Sequence, residues 1–249
     1  MDYNKLNLKI GLEIHRQIDS HKLFCKCPSK LSEGVPDLII KRNLRAVESE
    51  INEEDKAAIF EMLKERTGSY EVFHESACLI ELDEEPILDI NMDALKTILT
   101  VSKLLNCDIV DDLIIMRKQV LDYSNTSGFQ RTGLVARNGY VNVKNNVIEI
   151  EGIFIEEDAA RKIKQNNQEV VYRLDRLGIP LIEIATAPDI KSPEEARDVA
   201  AHLGMMLKST KGFKSGIGTI RQDLNISIKN GSRVELKGVQ NLKDIPKII

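Results

Sequence analysis

The stretch Tyr172 to Pro193 reads YRLDRLGIPLIEIATAPDIKSP. Gly178 marks a turn, Pro180 opens an apolar run, and Leu181 to Ala185 has the length and residue types of a strand. Glu183 sits in the middle of that run. An ionised carboxylate loses several kcal/mol or more of hydration on burial, so this one calls for a nearby cation. The cation is either a metal or a basic side chain, with Arg173 and Arg176 at hand for a structural ion pair.

Working outward, Leu8 to His15 alternates Leu8, Ile10, Leu12 and Ile14 with Lys9, Gly11, Glu13 and His15. That period of two gives a strand with one apolar face and Glu13 beside His15 on the other. The pair suits Mg²⁺ or Mn²⁺, or else simply faces solvent. Residues 147–157 form another strand, running into Glu156, Glu157 and Asp158. Three adjacent acids are either solvated or gathered by a cation, and alternation sends only one of Glu156 and Glu157 toward any given cavity.

From Val110 onward the pattern is mostly strands: 113–122, 130–136, 140–143 and 147–157, separated by NTSG, NG and KNN, as in an antiparallel sheet. Residues 220–237 read as a hairpin. A loop over Asn230, Gly231 and Ser232 pairs Ile228 with Val234, Ser227 with Glu235 and Asn225 with Lys237, with Gly231 or Ser232 near the left-handed region. One face then carries Arg221, Asp223, Asn225, Glu235 and Lys237, either lining a cavity or making cross-strand ion pairs in solvent. Helices are predicted over 52–66, 91–106 and 193–209, the last with a Ser192/Glu195 capping box and Pro193 at its first position. A strand is predicted over 71–82, with His74 and Cys78 packed in its core or at its edge. His202 is given no role.

With 249 residues and 42% hydrophobic content, the chain can bury one large core or two modest ones. It lacks an eighteen-residue apolar run and a signal-peptide pattern, so a cytoplasmic protein without a membrane is expected. Four cysteines are too scattered for a disulfide framework. Cys25 and Cys27, even with His21, fall short of the four ligands of structural zinc, and read as half-buried thiols. A net charge of −4 and the absence of Trp argue against a protein that grips nucleic acid over its whole surface.

Carboxylates and an imidazole that can hold a divalent cation, together with Arg and Lys that can hold phosphate oxygens, are equipment for metal-assisted phosphoryl transfer. The chain has no P-loop lysine motif, and Gly216-Ile-Gly218 is too short for a dinucleotide fingerprint. A nucleotide would therefore lie on a sheet.

The stretches GLEIH (11–15), LFCKCP (23–28), MRKQVLDYSNTSGFQRT (116–132), EEDAAR (156–161), YRLDRLGIPLIEIATAPDIKSPEEA (172–196), GIGTIRQDLNISI (216–228) and RVELKGVQNL (233–242) resemble the GatB/GatE family of tRNA-dependent amidotransferase subunits. The match runs in order over nearly the whole chain. It implies an α+β cradle, with a mainly antiparallel central sheet and flanking helices, resembling the catalytic half of glutamine synthetase. Residues 1–249 would be the N-terminal part of that cradle, stopping before the regions that grip tRNA.

The family's reaction uses ATP to phosphorylate the side chain of glutamate carried on Glu-tRNA(Gln), and ammonia then displaces phosphate. The implied partners are a GatD-type amidase supplying ammonia, within a hetero-oligomer, and the tRNA. The implied metal ligands for Mg²⁺ or Mn²⁺ are His15, Glu157, Glu183 and Asp223. Glu13, Arg221 and Lys237 would serve catalysis, and Arg117, Lys118 and Arg221 would hold ATP. The second cysteine pair found in some bacterial members is missing, which argues against their zinc site. Two rival readings are a metal-dependent ATP ligase for a small carboxylate and a non-catalytic scaffold; the scaffold is expected only if Glu13, His15, Glu157 and Glu183 diverge in space.

Overall fold

Chain order in the computed structural model, which describes residues 2–44 and 54–249, begins with α1 (Tyr3–Leu6), β1 (Lys9–Gln17), β2 (Leu38–Asn43), α2 (Lys56–Met62) and β3 (Thr67–Val72). It continues through α3 (Met92–Leu104), β4 (Asp108–Ile109), β5 (Ile115–Gln119), β6 (Phe129–Val143), β7 (Asn146–Glu157), β8 (Arg161–Gln165) and β9 (Glu169–Arg173). The last elements are β10 (Pro180–Thr186), α4 (Pro193–Ser209), β11 (Ile220–Ser227), β12 (Val234–Val239) and α5 (Ile245–Ile248). The fold is α+β.

Eight strands form an antiparallel sheet in the order β12-β11-β1-β10-β7-β6-β4, with β5 also pairing on β6. The helices α3 and α4 pack on one face. That face receives Ile10, Leu12 and Ile14 of β1, Ile153 and Ile155 of β7, and Ile182 and Ile184 of β10, all without solvent exposure. Strict alternation therefore sends the intervening residues, including Glu13, His15, Glu156 and Glu183, out of the opposite face. A second sheet, β2-β3-β9-β8, contains one parallel pair (β3 with β9) and buries its own cluster around Tyr70, Tyr172 and Leu174.

Several elements differ from the sequence reading. The helix predicted over 52–66 is α2, capped by Asp55, whose side chain accepts from the Ala58 N–H; Asn52 and Glu53 lie outside the described residues. The strand predicted over 71–82 ends at Val72. Beyond it the chain turns, with Ser76 and Ala77 donating to the Phe73 carbonyl and the Glu81 carboxylate accepting from the Cys78 N–H. Asn138-Gly139, read as a turn, instead lies within β6, which runs unbroken past it with Asn138 at φ 55°. Gly139 is needed there, because a Cβ would stand 2.1 Å from Cys107 Sγ and 2.7 Å from the Leu105 carbonyl.

The β11–β12 ladder starts with Ile226 opposite Val234 and Asn225 opposite Glu235, a shift of two from the predicted pairing. Ser227 is occupied on its other side by Lys9 of β1, and the left-handed residue is Asn230, at φ 65°. A shift of two preserves the faces, so the polar face survives the error. Helix α4 starts as read, with Ser192 Oγ accepting from the Glu195 N–H, although the Glu195 carboxylate receives the Lys191 N–H instead of that of Ser192. His202, on this helix, is exposed. Among the described residues, no helix is long and apolar enough to cross a membrane.

Candidate active site

Register brings the polar face together. His15 lies opposite Glu183 on β10 and Arg221 on β11, and Glu13 lies opposite Asp223. Glu156 of β7 lies opposite Leu181 and Thr132, and Lys118 of β5 lies opposite Gln130. The resulting cavity, about 360 Å³, is lined by Glu13, His15, Lys118, Glu156, Glu183, Arg221, Asp223 and Lys237, among others.

Two carboxylate clusters stand in it. In the first, His15 Nε2 is 3.3 Å from Glu183 Oε2 and 3.8 Å from Glu156 Oε2. Lys118 Nζ donates to Glu156 Oε1 at 2.6 Å, and Thr132 Oγ1 donates to the same oxygen at 2.9 Å. In the second, donor oxygens of Glu13, Asp223 and Glu235 all lie within 4.8 Å of one another. Asn225 Nδ2 donates to Glu13 at 2.8 Å, and the Gly238 N–H donates to Asp223 at 2.6 Å. Arg221 is held at 2.9 Å by Asp158, and Lys237 at 3.0 Å by Glu235.

Electrostatics favour a cation. The lining holds six carboxylates, namely Glu13, Glu156, Asp158, Glu183, Asp223 and Glu235, against Lys118, Arg221 and Lys237. The Lys118–Glu156, Arg221–Asp158 and Lys237–Glu235 pairs use up the permanent cations. Among the described residues, Glu13 and Asp223 are left without an ion-pair partner and Glu183 with His15 as its nearest partner. Burial raises the Glu156 pKa, and the Glu183 charge adds to this. Burial also opposes charging of His15, but its hydrogen bond to Glu183 and the nearby Glu183, Glu156 and Asp223 charges win and raise its pKa. Burial pulls Glu183 the same way as Glu156, yet His15 outweighs it and holds that carboxyl below its ordinary value. His15 Nδ1 is buried without a hydrogen-bond partner among the described residues. Oxygen donors with one imidazole, clustered and short of positive charge, fit Mg²⁺ or Mn²⁺.

The geometry sorts the sequence candidates. Glu13, His15, Lys118, Glu183, Arg221, Asp223 and Lys237 converge in the cavity. Glu157 does not: it shares the parity of Ile153 and Ile155, is 4% exposed, and receives the Arg131 backbone N–H at 3.0 Å and its guanidinium at 3.2 Å. Its pKa is raised by burial, with Arg131 opposing. Glu156 occupies the position expected of Glu157. The apolar parity of Ile153 and Ile155 was the signal that could have found it. Arg117 leaves β5 on the side opposite Lys118 and stacks on Phe129 at 4.9 Å. Neither arginine offered as an ion-pair partner reaches Glu183: Arg173 pairs with Glu71 at 2.7 Å, and Arg176 faces Asp158 at 3.8 Å. Of the four residues named as the test of a scaffold, His15 and Glu183 share one cluster, Glu13 stands in the other cluster of the same cavity, and Glu157 is in neither.

A separate thiol cluster lies outside this cavity. Donor atoms of Cys25, Cys27, Cys78 and Glu81 lie within 4.8 Å of one another, and Cys25 Sγ–H donates to Glu81 at 2.9 Å. Reading 71–82 as a strand had kept Cys78 away from the Cys25-x-Cys27 pair. The Cys25 thiol, hydrogen-bonded to Cys27, brings the Cys27 pKa down to about 7, while burial pushes Cys78 up to about 11. His21 is engaged elsewhere, with Nδ1 2.8 Å from the Lys22 carbonyl oxygen.

The profile of a family described as the GatB/GatE catalytic domain matches residues 8–249. The chain is 51% identical over 250 residues to the GatE protein of the glutamyl-tRNA(Gln) amidotransferase of Methanothermobacter thermautotrophicus, covering all of this chain and 40% of that protein. It is 52% identical over 250 residues to the same-named protein of Aeropyrum pernix and 51% to that of Saccharolobus solfataricus, covering 39% of each. The chain thus spans about two fifths of the length of the curated relatives it matches.

Proposed function

This chain belongs to the GatB/GatE catalytic-domain family, and on that premise we propose that its polar sheet face activates a carboxylate by ATP-dependent phosphorylation as part of a tRNA-dependent amidotransferase. The substrate is the side chain of glutamate carried on Glu-tRNA(Gln), and the ammonia comes from a partner amidase of the GatD type. The observation that carries this reading is the convergence of His15, Glu156, Glu183 and Lys118 in one cavity with a second carboxylate cluster and Arg221.

The chemistry follows from charge. A carboxylate is a poor electrophile, and bringing it to a triphosphate sets two anions against each other. Mg²⁺ or Mn²⁺ would neutralise that charge and polarise phosphate oxygens. His15, Glu156 and Glu183 would hold one such ion, and Glu13, Asp223 and Glu235 a second. Lys118, Arg221 and Lys237 orient phosphate oxygens by charge-assisted hydrogen bonds. A substrate carboxylate oxygen attacks the γ-phosphorus, the bond to ADP breaks, and the acyl carbon acquires phosphate as leaving group. Ammonia then forms the C–N bond, phosphate departs, and the surplus ammonium proton passes to a cavity carboxylate. Glu13, half-buried and held by Asn225, is placed to take it.

The test is transfer of the ATP γ-phosphate to glutamate on Glu-tRNA(Gln) by the full-length protein with its partner, in wild type and Glu183→Ala. Loss in the variant with retained folding supports the reading. Undiminished transfer would sink it, and ATP turnover indifferent to tRNA would move the substrate to a small free carboxylate.

A further inference from the structure

Arg16 stands where the fold calls for an apolar residue. On β1 it has the parity of Ile10, Leu12 and Ile14, facing α4, and it is only 4% exposed. Three other covered arginines are matched to carboxylates: Arg131 to Glu157 at 3.2 Å, Arg173 to Glu71 at 2.7 Å, and Arg221 to Asp158 at 2.9 Å; the half-buried Arg66 is not, and its Nε too is buried without a partner among the described residues. Arg16 has no carboxylate partner among the described residues. Its Nη2 donates to the Lys214 carbonyl at 3.0 Å, its guanidinium carbon lies 5.1 Å from the centre of the Phe213 ring, and its Nε and Nη1 are buried with no acceptor. A charged donor left dry and unmatched is costly, so a fold that keeps one invites an explanation. Burial lowers the Arg16 pKa, with no acid offsetting it.

The explanation lies next to it. Arg16 lines a cavity of about 430 Å³ beneath the last turns of α4, whose wall combines Lys208, Thr219 and Gln222 with the apolar Met205 and Leu242. Among the described residues, none of its lining is acidic. The volume falls in the range of small-molecule sites, and a mainly apolar wall with a few convergent polar groups is their usual make-up. We propose that this cavity binds a small amphipathic anion, its carboxylate or phosphate head taken by Lys208 and drawn in by the uncompensated charge of Arg16 behind the wall, and its apolar body lying against Met205 and Leu242. The site is separate from the phosphoryl-transfer cavity: Arg16 and His15 are adjacent on β1 and leave the sheet through opposite faces.

The experiment uses the full-length protein and two probe series, carboxylates from acetate to hexanoate and alkyl phosphates of the same chain lengths, followed by calorimetry. Saturable binding that tightens about threefold to fourfold per methylene is expected, and the tighter series identifies the head group. Two variants report independently. Arg16→Met removes the guanidinium at nearly constant volume. Gly204→Leu fills the cavity from α4, where a Cβ has Ile220 as its nearest neighbour at 3.9 Å, and leaves Arg16 in place. Each should weaken hexyl-probe binding at least tenfold in protein whose circular dichroism is unchanged. The proposal is overturned if neither series binds saturably, as when another segment of the full-length protein fills the cavity, if affinity does not grow with chain length, or if Gly204→Leu binds like wild type.

Discussion

Glu156 and Glu157, neighbours at the end of β7, leave the sheet through opposite faces and meet different partners: Lys118 Nζ stands 2.6 Å from Glu156, and Arg131 Nη1 stands 3.2 Å from Glu157. Their amide variants should therefore fail differently. Glu156→Gln removes a charge from the cavity and should lower phosphoryl transfer about a hundredfold or more, by analogy with loss of one preorganised electrostatic group, while thermal stability holds. Glu157→Gln should keep transfer within severalfold of wild type. Single-turnover transfer and thermal melts on both proteins decide it, and equal kinetic damage from the two would overturn the assignment of faces.

The same pair yields a pH prediction. Burial raises the folded-state pKa of Glu157 above the ordinary carboxylate value. The folded state then holds this proton where the unfolded state has released it, so the Glu157 contribution to stability is full below the ordinary carboxylate pKa and is lost as pH rises through the folded value. Denaturant melts across the acid range should show wild type losing its advantage over Glu157→Gln as pH increases. A constant difference would show that Arg131 neutralises the burial penalty.

The thiol cluster should be detectable by alkylation. With its pKa near 7, Cys27 should react with iodoacetamide first, half-maximally at about that pH, ahead of Cys78 at about 11; Cys107, pushed up to about 11 as well but buried where Cys78 is half-exposed, should lag both. Three thiols and a carboxylate also match a zinc donor set, so added Zn²⁺ should protect Cys27 and Cys78 together and leave Cys107 unchanged. Peptide mass spectrometry reads both results, and protection of Cys107 to the same degree would reduce the effect to a general one.

Much of this was legible in the sequence, and the failures have physical causes. Half-buried strands announce themselves by alternation, which is why the face carrying Glu13, His15 and Glu183 could be read before the fold. Alternation gives parity but not which parity is covered. Ile153 and Ile155 settle it for β7, and the family likeness that pointed to Glu157 overrode them. The β11–β12 pairing was misjudged because hairpin register depends on what the second edge of β11 does, and Ser227 is paired with Lys9. Cys78 and Arg16 were missed for a common reason. Each depends on segments remote in sequence, the turns after Phe73 and the packing of α4 over β1, and local pattern carries neither.

Gly139 offers a purely structural test. A Cβ at this position would overlap Cys107 Sγ at 2.1 Å and press on the Leu105 carbonyl at 2.7 Å, so Gly139→Ala must displace the end of α3 from β6. Overpacking of this kind costs about 2–3 kcal/mol. In a chain of this size that is a drop in Tm of roughly 5–10 °C. Adding Cys107→Ala relieves the sulfur contact and not the carbonyl, so the double variant should recover part of the loss. Full recovery would mean that the backbone had room to move.

The strongest check on the candidate metal cluster is how its affinity depends on pH. His15 Nε2 faces Glu183 and Glu156, and these charges raise the imidazole pKa above its ordinary value despite burial. An imidazole nitrogen binds metal only when unprotonated, so below that raised pKa the ion must first displace a proton. Mn²⁺ affinity, measured from the free-ion signal in electron paramagnetic resonance, should therefore rise with pH and level off above the ordinary histidine range. Below the plateau the slope should approach about tenfold per pH unit for a single competing proton. Replacing the imidazole in His15→Gln should flatten this slope and lower the plateau. A wild-type affinity that stays level from about pH 6 to 8 would remove His15 from the ligand set and leave Glu156 and Glu183 to Lys118.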